Sequence, residues 1–246
     1  QLELYANLLG SQLEKRGGRK NIIGALMQEI VNKTFALPMN EYDSLLSKVW
    51  QLASRKHLLL YFESSEEQRL AERFNLAGRI EDYEGDYLHV NDANFGGRKA
   101  NWYVTEAVTQ EVEISRDRVV KTVTIDYDNT GEYHSEWNTG YRDYVRIYVP
   151  AGAQLLESSG SLDPVQTFED LGKTVFAAFM AVDPLQTAQL QVKYEFSKEV
   201  AVKDGRYRLL IQKQPGKEVE PHKVVVNGKT IAEVELRSDQ EFSTKP

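Results

Sequence analysis

The sequence predicts an α+β chain, a helical N-terminal part followed by an antiparallel β-sandwich of immunoglobulin or fibronectin type III character. Three observations carry that expectation. Apolar residues recur at spacings of three and four up to about residue 77, then at a spacing of two from about residue 86. Turn signals separate seven or more short strand patterns in the second part. The 246 residues, 41% of them hydrophobic and 27% charged, are enough to enclose a sizeable core. The expected division places a helical part with one short strand at 1–85 and the sandwich at 86–240.

The helical stripes come first. Leu2, Tyr5, Leu8, Leu9 and Leu13 form one, ended by Gly17 and Gly18. Ile22, Ile23, Leu26, Met27, Ile30 and Val31 form a second, stopped by Pro38, and Leu45, Leu46, Val49, Trp50 and Leu52 a third. Residues 58–62 (LLLYF) are too short an apolar run for a helix and read as a buried strand. Ser64 and Ser65 before Glu66 and Glu67 mark another helix start, because serine caps open amides and acids suit the positive end of the dipole. That helix carries Leu70, Phe74 and Leu76 and closes at Gly78.

Strand patterns follow. Val119, Val123, Ile125 and Tyr127 share one face of a strand; Val145, Ile147 and Val149 share one face of the next. Leu190, Val192, Tyr194 and Phe196 alternate with polar residues, as in a half-buried strand. Further strands are expected over residues 175–182, 207–213, 223–226 and 232–236. Asn227-Gly228 between the last two predicts a two-residue hairpin, since a type I′ turn needs positive φ at both central positions.

Composition excludes several function classes. No run of about 18 apolar residues is present, so no stretch of this sequence has the length and apolarity of a membrane-spanning helix. A net charge of −7 argues against a nucleic-acid binder held by phosphate contacts. With no cysteine there is neither a thiol nucleophile nor a thiolate metal site. The chain opens at Gln1 already inside a helical pattern, so it reads as a fragment whose anchor or export signal lies upstream.

The segment Asp126-Tyr127-Asp128-Asn129-Thr130-Gly131 comes nearest to a metal-ligand pattern. Asp126 and Asp128 stand at alternate positions and a glycine at the sixth, as in a calcium loop, but Trp137 occupies the twelfth position where a bidentate glutamate belongs. No metal centre and no cofactor is therefore expected. A polar loop over residues 90–101 gathers Asn91, Asp92, Asn94, Arg98 and Lys99 around Gly96-Gly97, where successive amides and two cations can hold an anion. It lacks the Lys-Ser/Thr ending of a phosphate-binding loop. Aromatic residues concentrate between Trp102 and Tyr148, and Trp137, in a polar stretch, is the one expected to be exposed and able to stack on a sugar ring. His57, His89, His134 and His222 fall in no metal-ligand motif, and no serine sits in a nucleophile elbow. No catalytic constellation is expected in this chain.

Five segments add a resemblance: residues 58–62, 90–103, 141–150, 171–176 and 210–216. In order and spacing they resemble the C-terminal half of the bacterial "domain of unknown function 4012" proteins. That resemblance implies an extracytoplasmic body attached to the cell membrane through an N-terminal helix, with no established activity. Residues 16–26, with Arg16 and Arg19, resemble the arginine-bearing helix of LytR-CpsA-Psr glycopolymer transferases. This second resemblance implies an alternative, the C-terminal part of a transferase whose catalytic aspartates and arginines lie upstream. The expected partners are a cell-wall glycan, a polyprenyl phosphate or another envelope protein, and the expected role is non-catalytic binding or presentation.

Overall fold

The computed structural model describes residues 19–246. Arg16 and the first expected helix lie outside the described residues. Arg19 opens α1, and its side chain also lies outside those described. The chain divides into two compact units, 1–51 and 52–246. The boundary therefore falls well before residue 85, and the segment from 52 to 85 belongs with the β unit.

In the first unit, α1 (Arg19–Phe35) and α2 (Tyr42–Ser54, ending just past the boundary) match the second and third helical stripes. Pro38 has no N–H to continue a helix, and α1 stops three residues before it. The Tyr42 hydroxyl donates to the Thr34 carbonyl across the connection.

In the second unit, α3 (Ser65–Arg73) forms where serine and glutamates announce it. Residues 58–62 are not a strand. One backbone bond, from Leu60 N to Leu76 O, ties the run to its neighbour, and four of its five apolar side chains stay exposed. An apolar run becomes a strand only where an adjacent strand can satisfy its amides, and among the described residues none pairs with this one.

The strands are β1 (Asp86–Asn91), β2 (Val104–Ile114), β3 (Arg118–Asn129), β4 (Tyr141–Val149), β5 (Gln154–Ser159), β6 (Gln166–Asp170) and β7 (Lys173–Val182). They continue with β8 (Thr187–Ser197), the single-turn α4 (Lys198–Ala201), β9 (Val202–Lys203), β10 (Arg206–Ile211), β11 (Glu220–Val226), β12 (Lys229–Leu236) and β13 (Gln240–Thr244). One sheet runs β13-β10-β1-β4-β7-β6, with β9 beside β10; the other runs β12-β11-β2-β3-β8-β5. Between them lies a continuous apolar core that takes Leu88, Val145, Ile147 and Phe176 from the first sheet and Val108, Val123, Val192 and Val224 from the second.

Both sheets are mixed, which corrects the expected antiparallel architecture. β1 pairs with β10 in parallel, and β2 with β11 in parallel. A tight hairpin forces antiparallel pairing only on sequence neighbours. β1 and β10, like β2 and β11, are far apart in sequence and under no such constraint. The Asn227-Gly228 hairpin forms as expected, with φ of 47° and 77°. β13 extends the last sheet pairing to Thr244, past the expected limit at residue 240.

Candidate functional site

Parallel pairing decides which loops meet. The ends of β1 and β10 and the starts of β2 and β11 all lie at one end of the sandwich, together with the end of β3 and the start of β4. The loops 92–103, 130–140 and 212–219 gather there.

Beneath these loops, inside the sandwich, is a cluster of carboxyl groups. Glu106 is in phase with the buried Val108 and Val112 of β2, and Asp143 with the buried Tyr141 and Val145 of β4. Glu220 and His222 are in phase with Val224 and Val226 of β11. All therefore project between the sheets, and Asp92, just past β1, joins them. The Lys217 ammonium, arriving on the loop before β11, donates to Asp92 Oδ2 at 2.5 Å, to Glu220 Oε1 at 2.8 Å and to Glu106. Tyr127 OH donates to Asp92 Oδ1 at 2.9 Å, and His222 Nε2 lies 2.6 Å from Glu220 Oε2.

The loop that carries Lys217 is tied down on both sides. Gln214 exchanges two hydrogen bonds with the Asp92 backbone, and the Lys213 ammonium donates to the carbonyls of Arg55, Gln214 and Lys217.

Electrostatics in the cluster are lopsided. Burial, then the Asp92 charge, pushes Asp143 up to about 9 and Glu106 up to about 8. Asp143 is fully buried and no donor reaches either of its oxygens. Burial works against the Lys217 charge, but Asp92, Glu220 and Glu106 outweigh it and hold the ammonium well above the ordinary lysine range. Burial likewise opposes the Glu220 charge, yet Lys217 and His222 outweigh it and keep that carboxyl below the ordinary range.

The outer surface of the same end is aromatic. The Trp102 and Trp137 rings lie within 12° of parallel with centroids 6.2 Å apart, Lys99 Nζ stands 5.1 Å over Trp102, and His134 is 6.2 Å from Trp137. Asn138, wholly buried, fixes the loop beneath them by donating to Asn129 Oδ1 and the Gly131 carbonyl. At Gly131 any Cβ would come within 2.6 Å of both the Tyr103 ring and the Asn138 amide, so this close approach admits only glycine.

The expected site residues are thus partly assembled. Asp92 enters the carboxyl cluster, whereas Lys99 and Trp137 meet on the aromatic surface, where Lys99 N donates to the Trp137 carbonyl. Asn91 accepts from Arg146 at 2.5 Å, and the Asn94 amide donates to the Gly97 carbonyl. Arg98 is exposed at φ 54°. Three amides of this loop are committed within the fold: the Phe95 and Gly96 amides donate to Arg142 O and the Lys99 amide to Trp137 O.

Asp126 and Asp128 lie in β3, not in a calcium loop, and Asp126 accepts from Gln189 of the neighbouring strand. Their alternation is the period of a strand. Among the described residues, Asp92, Glu106 and Glu220 are the group of three whose ligand atoms converge, all within 4.8 Å.

No family model matches this chain, and no curated protein matches it in sequence. Solved structures align only in part. A putative nutrient binding protein from Legionella pneumophila is 10% identical at a TM-score of 0.33, covering 57% of this chain and 54% of that one. An M1 zinc metallopeptidase from Deinococcus radiodurans is 9% identical at 0.31, covering 50% and 32%. Leukotriene A4 hydrolase from Saccharomyces cerevisiae is 9% identical at 0.30, covering 59% and 27%. The chain spans from about a quarter to about half the length of these proteins.

Proposed function

We propose that this chain is a non-catalytic, carbohydrate-binding module of an extracytoplasmic, membrane-tethered bacterial envelope protein, with a cell-wall glycan as its ligand. The Trp102–Trp137 pair carries the reading. It sets an exposed Trp102 nearly parallel to Trp137, which is half-buried and not exposed as expected, with Lys99 and His134 beside them on loops held by a rigid sheet scaffold. Function concentrates on such loops, and an indole offers a flat apolar face together with a polar N–H edge, the combination that suits the CH face and hydroxyl rim of a pyranose. We read the two-sheet body as a scaffold of immunoglobulin or fibronectin kind to which the parallel strands β10 and β11 were added. The resemblance of five segments to "domain of unknown function 4012" proteins supports the envelope location.

The test is calorimetric titration of soluble peptidoglycan fragments into the chain, alongside Trp137→Ala and Trp102→Ala. Binding by the wild type and a loss of about tenfold or more in both variants, equivalent to about 1.4 kcal/mol each, is expected. Absence of glycan binding, or binding that survives both substitutions, overturns the reading.

A further inference from the structure

The buried cluster under the aromatic surface holds more acceptors than its one cation can serve. An ammonium has three N–H donors, and Lys217 spends them on Asp92, Glu106 and Glu220. Asp143 remains. It is fully buried, it shares the inner face of β4 with Tyr141 and Val145, and neither of its oxygens receives a donor. Three carboxyl groups thus hold one ammonium, and a fourth, Asp143, is buried beside them without a donor. An oxygen from each of Asp92, Glu106 and Glu220 already lies within 4.8 Å of the others. The four belong to both sheets or to the chain just leaving them, so the scaffold fixes their places. Lys217 alone comes from the middle of a loop, keeps 18% of its side chain exposed and has a flexible stem.

We propose that this cluster is a calcium site in which Lys217 is a built-in competitor. A hard divalent cation takes oxygens of Asp92, Glu106, Asp143 and Glu220, and the ammonium moves out to solvent. Calcium accepts six to eight oxygen ligands, carboxylates foremost, so it has room for the acceptor that an ammonium leaves unserved. Two positive charges also balance four carboxyl groups better than one. The site stands on its own observations and does not depend on carbohydrate binding.

The experiment titrates calcium into the chelator-treated full chain by calorimetry, with terbium as a luminescent probe. Tyr127 OH is 2.9 Å from Asp92 Oδ1, close enough for the ring to sensitise terbium in the cluster. Wild type is expected to bind calcium weakly, as extracellular modules with a dissociation constant on the order of 0.1–1 mM do. Lys217→Gln removes the competitor and should bind about tenfold tighter, with a larger calcium-induced rise in melting temperature. Asp143→Asn keeps the shape, can donate to Asp92, and should bind about tenfold more weakly. If Lys217→Gln is unfolded without calcium and folds on its addition, the proposal is supported. If it stays unfolded, wild type against Asp143→Asn decides the matter. Equal affinity in those two proteins, no tightening in a folded Lys217→Gln, an equal response to magnesium, or no sensitised emission each overturns it.

Discussion

Asp86 opens β1 and Asp92 stands just past its end, about 20 Å away at the rise of a strand. Each carries a buried carboxylate that meets a lysine from the opposite side, yet the two neighbourhoods differ. At the Asp86 end the accounts close: Oδ2 accepts from the Lys121 ammonium at 2.7 Å and from Tyr207 OH, and Oδ1 from the Tyr87 amide. Lysine and aspartate are both wholly buried there, one from each sheet. Burial pushes Lys121 down and Asp86 pulls it back up, without restoring the ordinary lysine value. At the Asp92 end three carboxyl groups share one lysine, and a fourth, Asp143, receives no donor. A matched buried pair locks two sheets together; an unmatched cluster keeps a capacity to take up protons or a cation.

The largest effect is expected at the closed end. Lys121→Met leaves Asp86 buried without its cation and should cost about 3–5 kcal/mol in urea denaturation. The double variant Lys121→Met with Asp86→Leu should recover most of that loss, because the expense lies in the orphaned charge. A loss below about 1 kcal/mol in the single variant would mean that water reaches Asp86 and the two ends are alike.

A smaller, pH-dependent effect is expected at the open end in chelator-treated protein. Asp143 and Glu106, held up to about 9 and about 8, keep protons that the unfolded chain releases near pH 4. Their contribution is complete below that pH and drains away as pH rises towards 9. Glu220 acts in the opposite sense: held below the ordinary range, it stabilises above about pH 4.5 and that contribution is lost in acid. Thermal unfolding should therefore show stability falling from about pH 5 to pH 9, and Asp143→Asn should flatten that fall, gaining about 1–2 kcal/mol at the alkaline end. An unchanged alkaline slope in the variant would remove Asp143 from the account.

The smallest effect is the control. Arg142 and Asp183 form an ion pair at 2.7 Å whose side chains are 44% and 63% exposed. Arg142→Ala should shift the urea midpoint by the equivalent of about 0.5 kcal/mol or less. A larger loss would show that contact distance, and not burial, ranks the ion pairs of this molecule.

Local order in this chain is written in spacing. The period of 3.6 residues placed α1 and α2, serine before two glutamates placed α3, and the period of two placed β3, β4, β8 and β10, while Asn227-Gly228 specified the last hairpin through its two positive φ angles. A clue to the buried clusters was also present. Lys121 falls between Val119 and Val123 on the buried face of β3, Glu106 precedes Val108, and Asp143 precedes Val145, each a charge in phase with core residues. A charge buried there is costly without a partner, so the pattern announces either a counter-charge, as for Lys121 and Glu106, or a retained proton, as for Asp143, without saying which. Only the tertiary structure supplies the name. Lys217 reaches Glu106 from 111 residues further along the chain, beside the parallel pairing of β11 with β2. Parallel pairing between distant strands leaves no local signature, for it is decided by which sheet edge a returning strand finds open. The same holds for residues 58–62, apolar enough for a strand but without a paired edge among the described residues. Periodicity is set within a few residues and can be read from them; pairing is set between surfaces and exists only once they meet.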